Sequence, residues 1–297
     1  QPITSDIGLL KYSVFFQIAK FMRIPAILHL HGGRLYSFYK ESNKLVRAYV
    51  RNMLRRADSV IVMGEIWKKR LQEMGIKKPI KIIPNTVEFE FAHYFEKKSP
   101  EDLLSIRLND NTFKVLYVGR LSEEKGTFDL LEVALRLKAL DNLRKPVSIV
   151  LAGPFKDSKT EKAIENFLTN ESLSDIVTIK GVVTGDGKMR LYESASIFTL
   201  PSYIENFPIT LVESLAAGLP VVSTRVGAIG EIIRDGENGY LLRPGDIDGL
   251  LKAILRLISD ENVYRRISLL NKMRFLSEYS PSRILSKWLD LYSSVIY

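Results

Sequence analysis

The sequence predicts an α/β protein of two domains, each a doubly wound parallel sheet with helices on both faces. Three features predict it. Short β-branched or apolar runs alternate with helix-patterned stretches almost throughout. The 297 residues are long for one hydrophobic core and suit two domains of ordinary size. A polar stretch at 97–111, with Pro100 and the turn cluster Asn109-Asp110-Asn111, separates two such alternating regions.

Taken in order, the first region holds strand-like runs at 26–31, 59–62 and 80–83. The second holds runs at 114–118, 147–151, 177–180, 197–200, 221–224 and 239–242. Helical patterns lie between them, at 127–141, 161–169, 188–194, 210–217 and 247–259. Parallel strands joined through helices cross over right-handed, which winds each sheet on both faces.

Composition narrows the function. With 46% hydrophobic and 26% charged residues the chain is neither disordered nor fibrous. The absence of cysteine removes disulfides, thiolate zinc sites and a thiol nucleophile, and suits a reducing cytoplasm. Three histidines, His29, His31 and His93, leave no histidine-rich metal site. The longest apolar stretches, 147–152 and 211–219, fall far short of the ~20 residues of a membrane-spanning helix. The formal charge of +9 is uneven: residues 1–100 carry 18 Lys/Arg against 8 Asp/Glu, and the remainder is close to neutral. Such asymmetry points to an anionic surface as partner of the first region.

Three segments could carry chemistry. In 117–126 a strand ends at Gly119 and opens into a loop bearing Arg120 and Lys125 before a helix starts. Loops at strand carboxyl ends bind ligands in open α/β sheets, and two flexible cations there suit a diphosphate. Alone, this piece reads sooner as a solvated charged turn. In 201–222, Glu205 lies in a loop after a strand and Glu213 sits eight residues on, inside an apolar helical pattern. A carboxylate there needs a partner. A ribose or sugar diol would serve, and so would an internal ion pair; two carboxylates alone also fit a glycosidase. In 227–240, the 227–231 loop is a site candidate, whereas Asp235-Gly236 and Asn238-Gly239 are structural turns. No G-x-G-x-x-G after a strand, P-loop or G-x-S-x-G motif occurs, which argues against dinucleotide, P-loop and α/β-hydrolase chemistry.

Together and in this order, the segments resemble the retaining glycosyltransferases of family 4, whose fold is GT-B. Val118-Gly-Arg-Leu with Lys125-Gly126 resembles the family's diphosphate loop, Glu205 and Glu213 match its E-x7-E motif, and 216–222 matches the segment adjoining that motif. The resemblance spans roughly residues 25–280 and is strongest over 114–245. It implies that two Rossmann-like domains face a cleft, an acceptor-side domain at 1–105 and a donor-binding domain at 106–280. A helix at 281–297 would pack back toward the first. Gly119, Arg120 and Lys125 would bind a nucleoside-diphosphate sugar through its diphosphate. Glu213 would hold the ribose, Glu205 the sugar hydroxyls, and Asn206, Phe207 and Pro208 would lie against sugar and phosphate. Gly181 and Val182 would border the base, and His31 would face the donor sugar. His31, Glu205, Arg120 and Lys125 are the expected catalytic group, with no metal and no cofactor.

Two departures accompany the resemblance. Glu-Asn-Phe-Pro at 205–208 stands where glycines are commoner, which implies altered sugar contacts. The first domain is shorter than the family's, so a truncated domain is expected. A nucleotide-sugar-binding remnant and a GT-B epimerase or phosphorylase are the alternatives. The acceptor would be a saccharide or lipid-linked saccharide of polysaccharide or glycolipid synthesis.

In 44–56, Leu45, Val46, Tyr49, Val50, Met53 and Leu54 fall at helical spacing opposite Lys44, Arg47, Arg51 and Arg55. Such a helix can lie on an anionic membrane, with 12–22 adding apolar area, or bury its stripe against a sheet. The first reading implies a cytoplasmic enzyme peripheral to the inner membrane face. Nucleic acid is not expected, since no recognition motif accompanies the charge.

Overall fold

The strands expected from the sequence form two parallel sheets in the computed structural model, which describes residues 6–31, 35–140 and 143–296. Two units result. The first comprises residues 1–85 and 282–297 with the short segment 205–207, and the second comprises 86–204 and 208–281.

In the first unit β1 (Ile27–Leu30), β2 (Ser59–Val62) and β3 (Ile80–Ile82) pair in that order. Side chains alternate between sheet faces. Leu28, Leu30, Val60 and Val62 pack with Phe16 of α1 (Asp6–Phe21), with Val50, Met53 and Leu54 of α3 (Lys44–Arg56), and with Trp67 and Leu71 of α4 (Glu65–Glu73). Between α1 and α3 lies the short α2 (Leu35–Glu41). Ile61 and Ile83 pack instead with Ile284 and Leu291 of the last helix, Pro281–Ile296.

Most of the apolar stripe of α3 is thus core: Val50, Met53 and Leu54 are almost fully buried, whereas Leu45 at its start is 82% exposed. Its cations lie outside, with Arg47 donating to the carbonyls of Lys40 and Ser42 and Arg55 to that of Gly75. Within 12–22, Phe16 is buried, whereas Phe15 and Phe21 are exposed.

The second unit opens with α5 (Phe89–Glu96) and α6 (Pro100–Leu108). The stretch at 97–111 is therefore largely helix, where the sequence suggests a linker. Ser99 caps α6 by accepting from the Asp102 N–H, and Pro100 occupies the first turn, where its missing N–H costs nothing. Arg107 then runs into the interior of the unit, almost fully buried. Its guanidinium donates to the carbonyls of Tyr192, Glu193, Ala217 and Gly218.

Six strands complete the second sheet: β4 (Phe113–Val118), β5 (Val147–Ala152), β6 (Val177–Gly181), β7 (Ile197–Leu200), β8 (Val221–Thr224) and β9 (Gly239–Leu242). Their order, β6-β5-β4-β7-β8-β9, runs outward from β4 and then restarts beside it at β7. The crevice at such a reversal, outside the strand carboxyl ends, is where doubly wound sheets bind ligands. The connecting helices are α7 (Thr127–Lys138), α8 (Ser158–Asn170), α9 (Gly185–Ser194), α10 (Ile209–Ala216) and α11 (Ile229–Ile232). After β9 come α12 (Ile247–Ser259) and α13 (Glu261–Arg274), and the helix Pro281–Ile296 is α14. No helix among the described residues is long and apolar enough to cross a membrane.

Candidate active site

The reversal point is built from the loops after β4 and β7. Buried β4 delivers Gly119 and Arg120, and the Tyr117 hydroxyl donates to the Arg120 carbonyl at 2.8 Å, fixing that backbone while the guanidinium stays exposed. A tight helical turn over Glu123–Lys125 comes next, and the Tyr203 N–H of the β7 loop donates to the Glu124 carbonyl at 2.9 Å. Lys125 Nζ donates to the carbonyl of Ile204 at 3.3 Å. Gly126 closes the turn with φ of 71°, and a Cβ there would stand 2.1 Å from the Pro201 carbonyl oxygen. Only glycine lets the two loops meet this closely. Arg120 and Lys125 are therefore held on one loop, against the backbone that leads into Glu205.

Glu205 and Asn206 are half-buried and Phe207 is buried; Pro208 then caps α10. In the first unit, Asn206 Nδ2 donates to the His31 carbonyl, and Asn85 Nδ2 donates to the Phe207 carbonyl at 3.1 Å. Asn206 Oδ1 is buried with no hydrogen-bond partner among the described residues.

Glu213, on α10, is only 3% exposed. The sequence leaves open whether a ligand or an internal ion pair satisfies it. In the structure Lys188 of α9 donates to Oε1, and the Tyr192 hydroxyl donates to Oε2 at 2.7 Å. Burial, with Glu213 beside it, holds the Tyr192 phenol well above its ordinary value, so the hydroxyl keeps its proton and remains a donor. Lys188 and Tyr192 are not among the residues expected from the sequence. Their spacing of four on a helix is the available signal, since it places both on one face.

Gly181 ends β6 with φ of 62°, and its carbonyl accepts from the Gly153 N–H at 2.7 Å; Val182 beside it is 68% exposed. That leaves an apolar ledge at a strand end. The Asp235–Gly239 turns are structural as expected: Asn238 is buried, accepts from the Arg234 N–H and donates to Asn271.

In the first unit β1 ends at Leu30, so His31 is the first residue past it, and Gly32 and Gly33 lie outside the described residues. The histidine rings still meet, His31 Nε2 lying 2.9 Å from His29 Nδ1, and Trp288 of α14 packs edge-on against His29 at 5.0 Å. Burial, reinforced by His31, lowers His29 to about 4, and burial also lowers His31. Both rings are held toward the neutral form.

Two parallel-sheet units, the second reversing its strand order beside a cationic loop, define the GT-B class. Residues 99–272 match the family model "Glycosyl transferases group 1", and residues 11–91 match "Glycosyltransferase Family 4". The chain belongs to this family of glycosyltransferases. It is 25% identical over 287 residues to the 2-deoxystreptamine N-acetyl-D-glucosaminyltransferase of Niallia circulans, covering 93% of this chain and 71% of that protein. Identity to the lipopolysaccharide 1,2-N-acetylglucosaminetransferase of Salmonella typhimurium is 28% over 279 residues, 89% of this chain and 71% of that one. The Anabaena HepE structure, solved in complex with UDP, shares the fold: the TM-score is 0.80 at 22% identity, over 98% of this chain and 77% of HepE.

Proposed function

We propose that the chain transfers a hexose-type sugar from a UDP- or GDP-linked donor to a saccharide or lipid-linked saccharide acceptor, retaining the anomeric configuration and using no metal. The observation that carries this reading is the cationic loop at the strand reversal, with Arg120 and Lys125 held beside the segment that leads into Glu205. In the transfer, the bond from the anomeric carbon to the diphosphate breaks and a bond to the acceptor oxygen forms. The acceptor hydroxyl's proton leaves with the diphosphate. Negative charge grows on the leaving phosphate, where fixed cations stabilise it; one such donor is commonly worth ~3–4 kcal/mol. Arg120 and Lys125 take the role a metal ion plays elsewhere.

Gly119 lets the diphosphate approach the backbone. Glu213 binds the ribose diol, and Gly181 and Val182 border the base. Glu205 accepts from sugar hydroxyls, with Asn206, Phe207 and Pro208 lining sugar and phosphate, and neutral His31 faces the sugar. A relative named for transfer of N-acetylglucosamine and a HepE structure holding UDP support this donor class. The relative named for lipopolysaccharide supports a role in polysaccharide or glycolipid synthesis. Such an enzyme works at the inner membrane face, with the outward cations of α3 against anionic lipid.

Incubation with UDP- and GDP-hexoses and oligosaccharide acceptors tests the proposal, with products monitored by proton NMR. An α-linked donor should give an α-linked product, unchanged by EDTA. A β-linked product would overturn retention, loss of turnover in EDTA would overturn metal independence, and release of free sugar alone would overturn transfer.

A further inference from the structure

Glu213 is the one carboxylate among the buried described residues, and it is held from a neighbouring helix. Burying a carboxylate is expensive unless charge and hydrogen bonds meet it. Both arrive from α9, four residues apart: Lys188 on Oε1 and the Tyr192 hydroxyl on Oε2. The two donors are themselves fixed. Lys188 Nζ lies 5.3 Å from the centre of the Phe91 ring, and Tyr192 is buried edge-on to Phe91 and stacked on Phe198. The helices that bring this group together also grow out of the proposed donor loops. Helix α9 starts four residues after Gly181, and α10 starts directly after Pro208.

A carboxylate offers about four acceptor positions, two on each oxygen. One donor on each oxygen leaves one acceptor position on each, the arrangement a vicinal diol can fill with two parallel hydrogen bonds. We infer that Lys188 and Tyr192 are positioning residues for nucleotide binding, which lock the Glu213 carboxylate in the orientation that reads both ribose hydroxyls. The inference rests on the donor reading given above. It adds that discrimination of ribose from deoxyribose is set from α9, by residues that need not touch the nucleotide.

The discriminating measurement compares the Kd of UDP with that of 2′-deoxy-UDP, and GDP with 2′-deoxy-GDP, by calorimetry on the intact chain. Hydrogen bonds to a charged group imply that wild type prefers the ribose form by about tenfold or more. Lys188→Met should bring that ratio close to one, mainly by weakening the ribonucleotide, and Lys188→Arg should restore much of it. Tyr192→Phe removes the other donor without touching the ammonium and should lower the ratio as well. A merely structural ion pair would weaken both nucleotides alike and leave the ratio intact, which overturns the positioning role. Equal binding of ribose and deoxyribose forms by wild type would remove Glu213 from the ribose. Failure of wild type to bind any nucleoside diphosphate would sink the donor reading itself.

Discussion

Lys125 and Gly126 do different work within one loop, and substitutions separate them. In the proposed reaction, Lys125→Ala removes a cation from the growing phosphate charge and leaves the backbone of the turn intact. Turnover should fall by about 100-fold or more with little change in melting temperature, and an unchanged kcat would remove Lys125 from the reaction. Gly126→Ala adds a methyl group 2.1 Å from the Pro201 carbonyl oxygen at a φ of 71°. It should cost about 1–3 kcal/mol of stability, read by urea unfolding. His29 makes a pH prediction. With its value lowered from 6.5 to about 4, the folded chain binds fewer protons than the unfolded chain between those limits. This contribution therefore favours folding fully above about pH 6.5 and fades as the pH falls toward 4. Urea midpoints at pH 7 and pH 5 should differ less in His29→Phe than in wild type. At this scale the sequence marks Arg120, Lys125, Glu205 and Glu213 as candidates by position and spacing, with their expected roles supplied by the family resemblance. It does not expose what satisfies Glu213, because Lys188 and Tyr192 lie 25 and 21 residues earlier and meet it only when α9 packs on α10.

Helices and strands are unequally legible. Strand runs such as Val221–Thr224 and Gly239–Leu242 are short, apolar and bounded by turn residues, so pattern alone locates them. Helix α6 reads as linker because Ser99, Pro100, Glu101 and Asp102 are polar and carry a proline; the same residues are helix-start signals once Ser99 is taken as the cap. The linker reading hides Arg107, whose guanidinium ties the carboxyl ends of α9 and α10 together through carbonyls of Tyr192, Glu193, Ala217 and Gly218. Arg107→Met would remove a charged donor from all four carbonyls, of which, among the described residues, only that of Gly218 keeps a side-chain partner, the Ser268 hydroxyl at 2.6 Å. We expect a loss of about 3 kcal/mol in urea unfolding, and a change near zero would contradict the capping role.

For the molecule as a whole, the positive excess belongs to residues 1–100, and Arg120 and Lys125 are not among them. Most of the α3 stripe that the sequence offers to a membrane, Leu45 apart, is packed in the core, because a parallel sheet must be covered. An anionic surface would meet Lys44, Arg51 and their neighbours by charge, with Leu45 and the α1 residues Phe15 and Phe21 the exposed apolar groups nearby in the chain. Flotation with anionic liposomes should be strong at low salt and lost near ~1 M salt, where the Debye length is about 3 Å. Persistence at high salt would instead indicate apolar insertion. Family models match both units, whereas the proposed reaction turns on the second, with the claim of a nucleoside-diphosphate site built on Arg120 and Lys125. Calorimetric titration of the intact chain with UDP, GDP and their hexose derivatives tests that claim most directly. Saturable one-to-one binding by wild type, weakened at least tenfold in Lys125→Ala, is the predicted result; binding of none of these nucleotides, or equal binding by the variant, would contradict it.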